Sequence, residues 1–232
     1  MINYEFKPSF FHPYYFIRKG LLKKISEHGH LLKGKLLDFG CGSKPYISLF
    51  KVDEYIGVDF ENEGHPHDNE QIDIFYDGKS IPVPDGYFDS ALSSEVFEHI
   101  FNLEDVLKEL NRVLKPGATM LITCPFIWKE HEVPNDFARY THFALEHLFV
   151  KNGFEVLIKD KSGSFIEALF QLQVLFFYDN WYRKVSRIPV VNFLFRLFFI
   201  ALPNFMGALV SKILSRNKTI YFNNIIVARK CI

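Results

Sequence analysis

The chain has 232 residues, enough for one large α/β domain carrying an elaboration and a sizeable core. Its 27 Lys and Arg balance 27 Asp and Glu, and without a basic excess a broad nucleic-acid-binding surface is not expected. Three cysteines, Cys41, Cys124 and Cys231, lie far apart with no CxxC pair, which argues against a disulfide framework or zinc knuckle; a reducing cytoplasm and no signal peptide are expected.

In chain order, "HPYYFIRKGLLKKISEHGHLL" reads as a helix, and residues 1–34 as an N-terminal helical cap. From Lys35 strand-like and helix-like segments alternate. "KLLDFG" and "EYIGVDF" are apolar runs ending in an acid, "QIDIFY" is a weaker third, and "FDSALSS" is a fourth, followed by a helical stretch "EVFEHI". "NLEDVLKELNRVLKPG" is the clearest helix, with Asn102 placed to cap it, Glu104 and Asp105 in its first turn, and Lys115-Pro116-Gly117 as its stop. "ATMLITCPF" is a fifth strand, "THFALEHLFVKNGF" a helix ending at Gly153, "EVLIKDK" a sixth strand and "TIYFNNIIVAR" a seventh. Such alternation predicts a doubly wound, mostly parallel seven-stranded sheet with helices on both faces, built from residues 35–162 and 218–232. Residues 163–217 break the rhythm. They are rich in Phe and Leu, with Pro189 and Pro203 expected as breaks, and read as a helical insertion before the last strand that serves as lid or interface.

"KLLDFGCGSKPY" has the strand–glycine turn–helix pattern that brings backbone N–H groups against a ligand, with Gly40 and Gly42 allowing close approach. A dinucleotide loop needs a third glycine where Pro45 stands, so the loop makes a weak pyrophosphate cradle and a NAD-dependent dehydrogenase is disfavoured. Asp59, ending the second strand, is placed to accept both hydroxyls of a ribose.

Taken together, "LLDFGCGSKPY", "YIGVDF", "IPVPDGYFDSALSSEVFEHI", "VLKELNRVLKPGATMLITCPF" and "HEVPNDFARYTHFALEHLFVKNGFEV" resemble, in order and spacing, the class I S-adenosylmethionine-dependent methyltransferases of the type 11 kind. The resemblance covers roughly Lys35 to Val156 and implies the Rossmann-like class I fold with S-adenosylmethionine as cofactor and S-adenosylhomocysteine as product. It implies that Gly40, Cys41 and Gly42 line the methionine moiety, with Asp38 supporting its ammonium group. Asp59, beside Phe60, would hold the ribose, Asp73 would accept from the adenine amino group with Ile74 against the ring, and Ser93 and Ser94 would contact the methionine end through backbone. Where Lys44 stands the family usually has Gly or another small residue.

Methyl transfer from a sulfonium chiefly requires alignment and exclusion of water, and a hydroxyl acceptor also benefits from a base. "HEVPNDFARYTHF" supplies His131, Glu132, Asp136, Arg139, Tyr140 and His142; His131 is the candidate general base, and Arg139 and His142 are expected to anchor the loop. No metal is expected, the alternative being Glu95, Glu98 and His99 at i, i+3, i+4 on one helix face.

The chain carries 26 Phe and 11 Tyr, concentrated toward its ends. "PVVNFLFRLFFIALPNFMGALV" is nearly long enough to cross a bilayer but is interrupted by Arg196, two asparagines and Pro203, so a packed lid, a dimer contact or an interfacial foot is expected rather than a span. Arg18, Lys19, Lys23 and Lys24 in the N-terminal helix read as a solvated face, with anionic lipid as the alternative. Expected partners are a small-molecule, sugar or lipid-linked acceptor and, through 163–217, a peripheral membrane contact or a homodimer. By family analogy the reaction falls in surface-polysaccharide or lipid-linked glycan metabolism. The alternative is a catalytically silent S-adenosylmethionine-binding module acting as a partner or scaffold.

Overall fold

In the computed structural model, which describes residues 6, 8–60, 71–214 and 217–232, the chain separates into two compact units: residues 24–160 with 224–232, and residues 1–23 with 161–223.

The first unit holds a mixed seven-stranded sheet in the order β3-β2-β1-β4-β5-β7-β6. The strands are β1 (Lys35–Phe39), β2 (Glu54–Phe60), β3 (Ile74–Tyr76), β4 (Phe88–Ser94), β5 (Leu114–Pro125), β6 (Phe154–Ser162) and β7 (Asn223–Lys230). The β1–β2, β1–β4, β2–β3 and β4–β5 pairs are parallel. Central strands covered on both faces need apolar side chains on both, and Leu36, Leu37, Leu92, Met120, Leu121 and Ile122 are all buried. The order reverses between β1 and β4, which opens a crevice at their carboxyl ends where α/β sheets take ligands.

Helix α1 (Tyr15–His28) precedes the sheet in the chain; α2 (Leu103–Val113) packs through Val106, Leu107, Leu110 and Val113 into the main core, and α3 (His142–Lys151) adds Leu145 and Phe149. Asn102 precedes α2 without making a side-chain cap, whereas Thr141 Oγ1 accepts from Ala144 N at the start of α3. The segment read as the helix "EVFEHI" is only a single 3-10 turn, Phe97–His99, because Glu95 takes a left-handed backbone (φ 59°) that interrupts any α-helix there.

The second unit is built on α4 (Phe165–Val185) and a continuous 25-residue helix, Pro189–Ile213, made of α5 (Pro189–Arg196), a π-helical stretch Leu197–Ala201 and α6 (Leu202–Ile213). Pro203 does not break the helix as expected: it falls in the first turn after the widened π segment, where the normal backbone ladder is already offset. Buried amides bind the N-terminal stretch to this unit. Gln171 accepts from Phe16 N and donates to Pro13 O, and Asn204 donates to the carbonyls of Phe10 and His12.

Candidate functional site

The carboxyl end of β1 turns on two left-handed glycines, Gly40 (φ 72°) and Gly42 (φ 44°). The N–H groups of Gly40 and Cys41 both donate to Val58 O, tying the turn to β2. A Cβ at Gly40 would stand 2.3 Å from Val96 Cγ2, so no larger residue fits. Asp59 at the end of β2 accepts from Gly42 N at 2.7 Å and, through its other oxygen, from Phe60 N at 2.8 Å; half-exposed Phe60 lies beside it. The predicted ribose acceptor is thus held against the glycine turn. Asp38 is buried in β1 and accepts from the Tyr55 hydroxyl at 2.5 Å. Burial pushes its pKa up to about 7 against the lowering effect of that hydrogen bond.

Lys44 and Asp73 bind each other. The third strand begins only at Ile74, so Asp73 precedes it, in register with Gly57. One oxygen of Asp73 accepts from Lys44 Nζ at 2.5 Å and from Gly57 N at 2.6 Å. Against partial burial, that ammonium and N–H hold Asp73 below the usual carboxylate range. Lys44, buried and left-handed (φ 50°), reaches it over Gly57, where a Cβ would stand 2.3 Å from Lys44 Cε and 2.6 Å from Cys41 Sγ. Asp73 Oδ2 therefore ties the glycine turn to the start of β3. The acid that follows β3 is Asp77, whose Oδ1 accepts from Lys79 N and Ser80 N, bonds that lower its pKa. An acid followed by glycine directly after the strand is the sequence signal for it.

At the carboxyl ends of β4 and β5, Ser94 Oγ is 2.9 Å from Thr123 Oγ1, which donates to Glu95 Oε1. Ser93 is buried with its hydroxyl unpartnered. Glu95 therefore faces β5, and the trio Glu95, Glu98, His99 does not converge. The 3-10 turn brings Glu98 and His99 to His131 instead, with one donor atom of each within 4.8 Å of the others.

Glu98 is fully buried with neither carboxylate oxygen hydrogen-bonded, and burial next to Glu95 raises its pKa well above the usual range. Its backbone carbonyl accepts from Phe137 N and Ala138 N, docking the segment after β5 onto the turn. In that segment Arg139 grips Asp136 with two nitrogens at 2.5 and 2.7 Å and holds its carboxyl far below the usual range. Asp136 Oδ2 also accepts from His131 N at 3.0 Å and lies 3.3 Å from His131 Nδ1. His131 Nδ1 makes no hydrogen bond, so Asp136 holds the backbone of His131 and lends the ring a nearby charge, while Nε2 faces the cluster, 3.8 Å from Glu98 Oε1. Burial, aided by His99, lowers the pKa of His131, so it is neutral near pH 7. Asn224 of β7 donates to Tyr140 O and pins the far end of the segment.

These features fit S-adenosylmethionine: a glycine turn closed to side chains, a buried acid at β1 and a second acid beside the turn, all at the switch point of the sheet. Residues 14–158 match the family model described as a methyltransferase domain. That is more than half of the chain, and the chain belongs to this family of class I S-adenosylmethionine-dependent methyltransferases, whose cofactor is S-adenosylmethionine. It is similar to the human mitochondrial ubiquinone biosynthesis O-methyltransferase, 33% identical over 127 residues covering 47% of this chain and 34% of the relative. A sterol 24-C-methyltransferase of Gibberella zeae is 29% identical over 118 residues, covering 41% of this chain and 30% of the relative. The chain thus spans about a third of the length of these curated relatives. Among solved structures, the [4+2]-cyclase SpnF superposes with a TM-score of 0.54 at 19% identity, over 93% of this chain and 83% of that one. A Haemonchus contortus phosphoethanolamine N-methyltransferase solved with S-adenosylmethionine gives 0.53 at 18%, over 92% and 52%. At these identities the structural matches establish the fold alone.

Proposed function

We propose that this protein transfers the methyl group of S-adenosylmethionine to a hydroxyl of a small amphiphilic acceptor, a lipid-linked sugar being one such molecule. The observation that carries the reading is the Arg139–Asp136–His131 array, which brings an imidazole of lowered pKa to the turn that follows β4. The cofactor supplies an activated methyl group. Gly40, Cys41 and Gly42 admit its methionine end, Asp38 balances the ammonium group, and Asp59 accepts from the ribose hydroxyls. Asp77, following β3 as Asp59 ends the neighbouring strand, takes the adenine amino group in place of Asp73. His131 Nε2 accepts the proton of the acceptor hydroxyl as the oxygen attacks, and Asp136 stabilises the imidazolium. An exposed aromatic pair, Phe101 just past the 3-10 turn and Phe137 in the docked segment, with ring centroids 5.5 Å apart, offers contact for an apolar part of the acceptor. Among the curated relatives, the ubiquinone and sterol enzymes are named for lipophilic products, which supports an amphiphilic acceptor more than a purely polar glycan.

Calorimetry with S-adenosylhomocysteine should show one site per chain. Asp59→Ala should weaken it about 10- to 100-fold, the cost of losing hydrogen bonds to a charged acceptor; unchanged affinity would remove Asp59 from the site. A mass-spectrometric screen of hydroxyl acceptors should then give a methylated product whose formation drops about 100-fold or more in His131→Gln. Binding without turnover across the screen would instead favour the silent-module reading.

A further inference from the structure

The two-helix unit carries an apolar surface that the methyl-transfer reading does not use. The helix Pro189–Ile213 has a mean hydropathy of 1.9 over its most apolar window, yet only 33% of that window is buried. Its buried side is accounted for: Phe195 and Ile200 pack with Val174 of α4, Asn204 bonds to the N-terminal stretch, and Gly207 lies under Phe16 and Phe170. On the other side Val191, Leu194, Phe198, Leu202, Phe205 and Leu209 are exposed at spacings of three and four residues, a continuous stripe. Isolated exposed apolar residues are ordinary, but a stripe of this length on one helix is not.

The charge around the stripe says what covers it. From Trp181 to Leu214 the chain has five cationic residues, Arg183, Lys184, Arg187, Arg196 and Lys212, and no Asp or Glu, in a protein whose net charge is zero. Arg183, Lys184 and Arg187 are exposed at the N-terminal approach to the helix, with Lys184 Nζ 4.8 Å from the ring centroid of half-exposed Trp181. A second copy of the chain would set two such cationic rims against each other, which opposes association. A bilayer with anionic headgroups matches both the stripe and its rim, and an aromatic residue among basic ones at the border suits the headgroup level.

We infer that the face of Pro189–Ile213 lies in the plane of an anionic membrane surface, held by its apolar stripe and by Arg183, Lys184 and Arg187. The helix does not cross the bilayer, because its other side is packed on protein and Arg196 sits within it. Binding is reversible and depends on salt.

Flotation of the full chain with vesicles of phosphatidylcholine, alone or mixed with phosphatidylglycerol, tests this. The protein should float with the mixed vesicles only, and added salt should release it. The triple variant Arg183→Gln, Lys184→Gln, Arg187→Gln should bind roughly 100-fold more weakly, at about fivefold per basic residue. These exposed substitutions should leave S-adenosylhomocysteine affinity unchanged, which separates this result from the fate of the methyl-transfer reading. A second variant, Phe198→Ser with Phe205→Ser, should also lose flotation. Failure of the wild type to float, equal binding to neutral vesicles, or a dimer in sedimentation equilibrium that Phe198→Ser with Phe205→Ser dissociates would overturn the inference.

Discussion

Glu98 is the residue with the least conventional surroundings: fully buried, unpartnered at both oxygens and next to two imidazoles. Because burial raises its pKa, it keeps its proton to a higher pH in the fold than in the unfolded chain, where it ionises near about pH 4.3. Unfolding then releases a proton, so this residue's contribution to stability falls as pH rises from the unfolded pKa toward the folded one. Glu98→Gln keeps the shape and cannot ionise. Thermal melts should show the variant gaining on wild type as pH rises above about 4.3, by roughly 2–4 °C per kcal/mol; parallel curves would show that Glu98 ionises alike in fold and unfolded chain. His131 moves in the other sense. Its neutral form is the base and its pKa is lowered, so activity should persist below the ordinary histidine midpoint near 6.5 before the acid limb sets in. A rate–pH profile in which that limb falls above the ordinary midpoint would contradict the assignment. The sequence showed that His131 and Asp136 stand five positions apart in one segment. Their meeting was not legible, because it depends on the Arg139 clasp and on two backbone bonds to the Glu98 carbonyl, neither of which has a periodicity.

At the scale of elements, what reads well in the sequence is what periodicity dictates: the buried runs of β1, β2 and β4 and the apolar face of α2. What reads poorly is where a local backbone choice intervenes. Glu95 in a left-handed conformation shortens "EVFEHI" to one turn and so changes which acids and imidazoles meet. Asp73, inside the apolar run "QIDIFY", lies just outside the strand, which begins at Ile74. Capping shows the same limit. Asn102 has the right residue type at the right position but makes no side-chain cap, while Thr141 does. Asn102→Ala should therefore change stability by less than about 0.5 kcal/mol, whereas Thr141→Ala should cost about 1 kcal/mol in urea unfolding. Equal losses from the two would mean that Asn102 caps α2 in solution.

Over the whole molecule, the donor-site residues and the imidazole array belong to residues 24–160 with 224–232, and the apolar stripe with its basic rim to residues 1–23 with 161–223. A net charge of zero gives no long-range attraction to an anionic surface, so membrane capture has to come from the local imbalance between Trp181 and Leu214. Confining an enzyme to the surface that carries its acceptor raises the effective concentration of that acceptor without any new contact at the catalytic residues. The two proposals, taken together, therefore require a particular kinetic pattern. With an acceptor embedded in mixed vesicles, kcat/KM should fall in the Arg183→Gln, Lys184→Gln, Arg187→Gln variant in step with its vesicle affinity, while kcat at saturating lipid stays near wild type. With a short-chain, fully soluble version of the same acceptor, variant and wild type should turn over alike, and His131→Gln should be slow on both. A variant equally impaired on soluble and embedded acceptors would show that the basic rim acts on catalysis or folding, and would detach the membrane surface from the reaction.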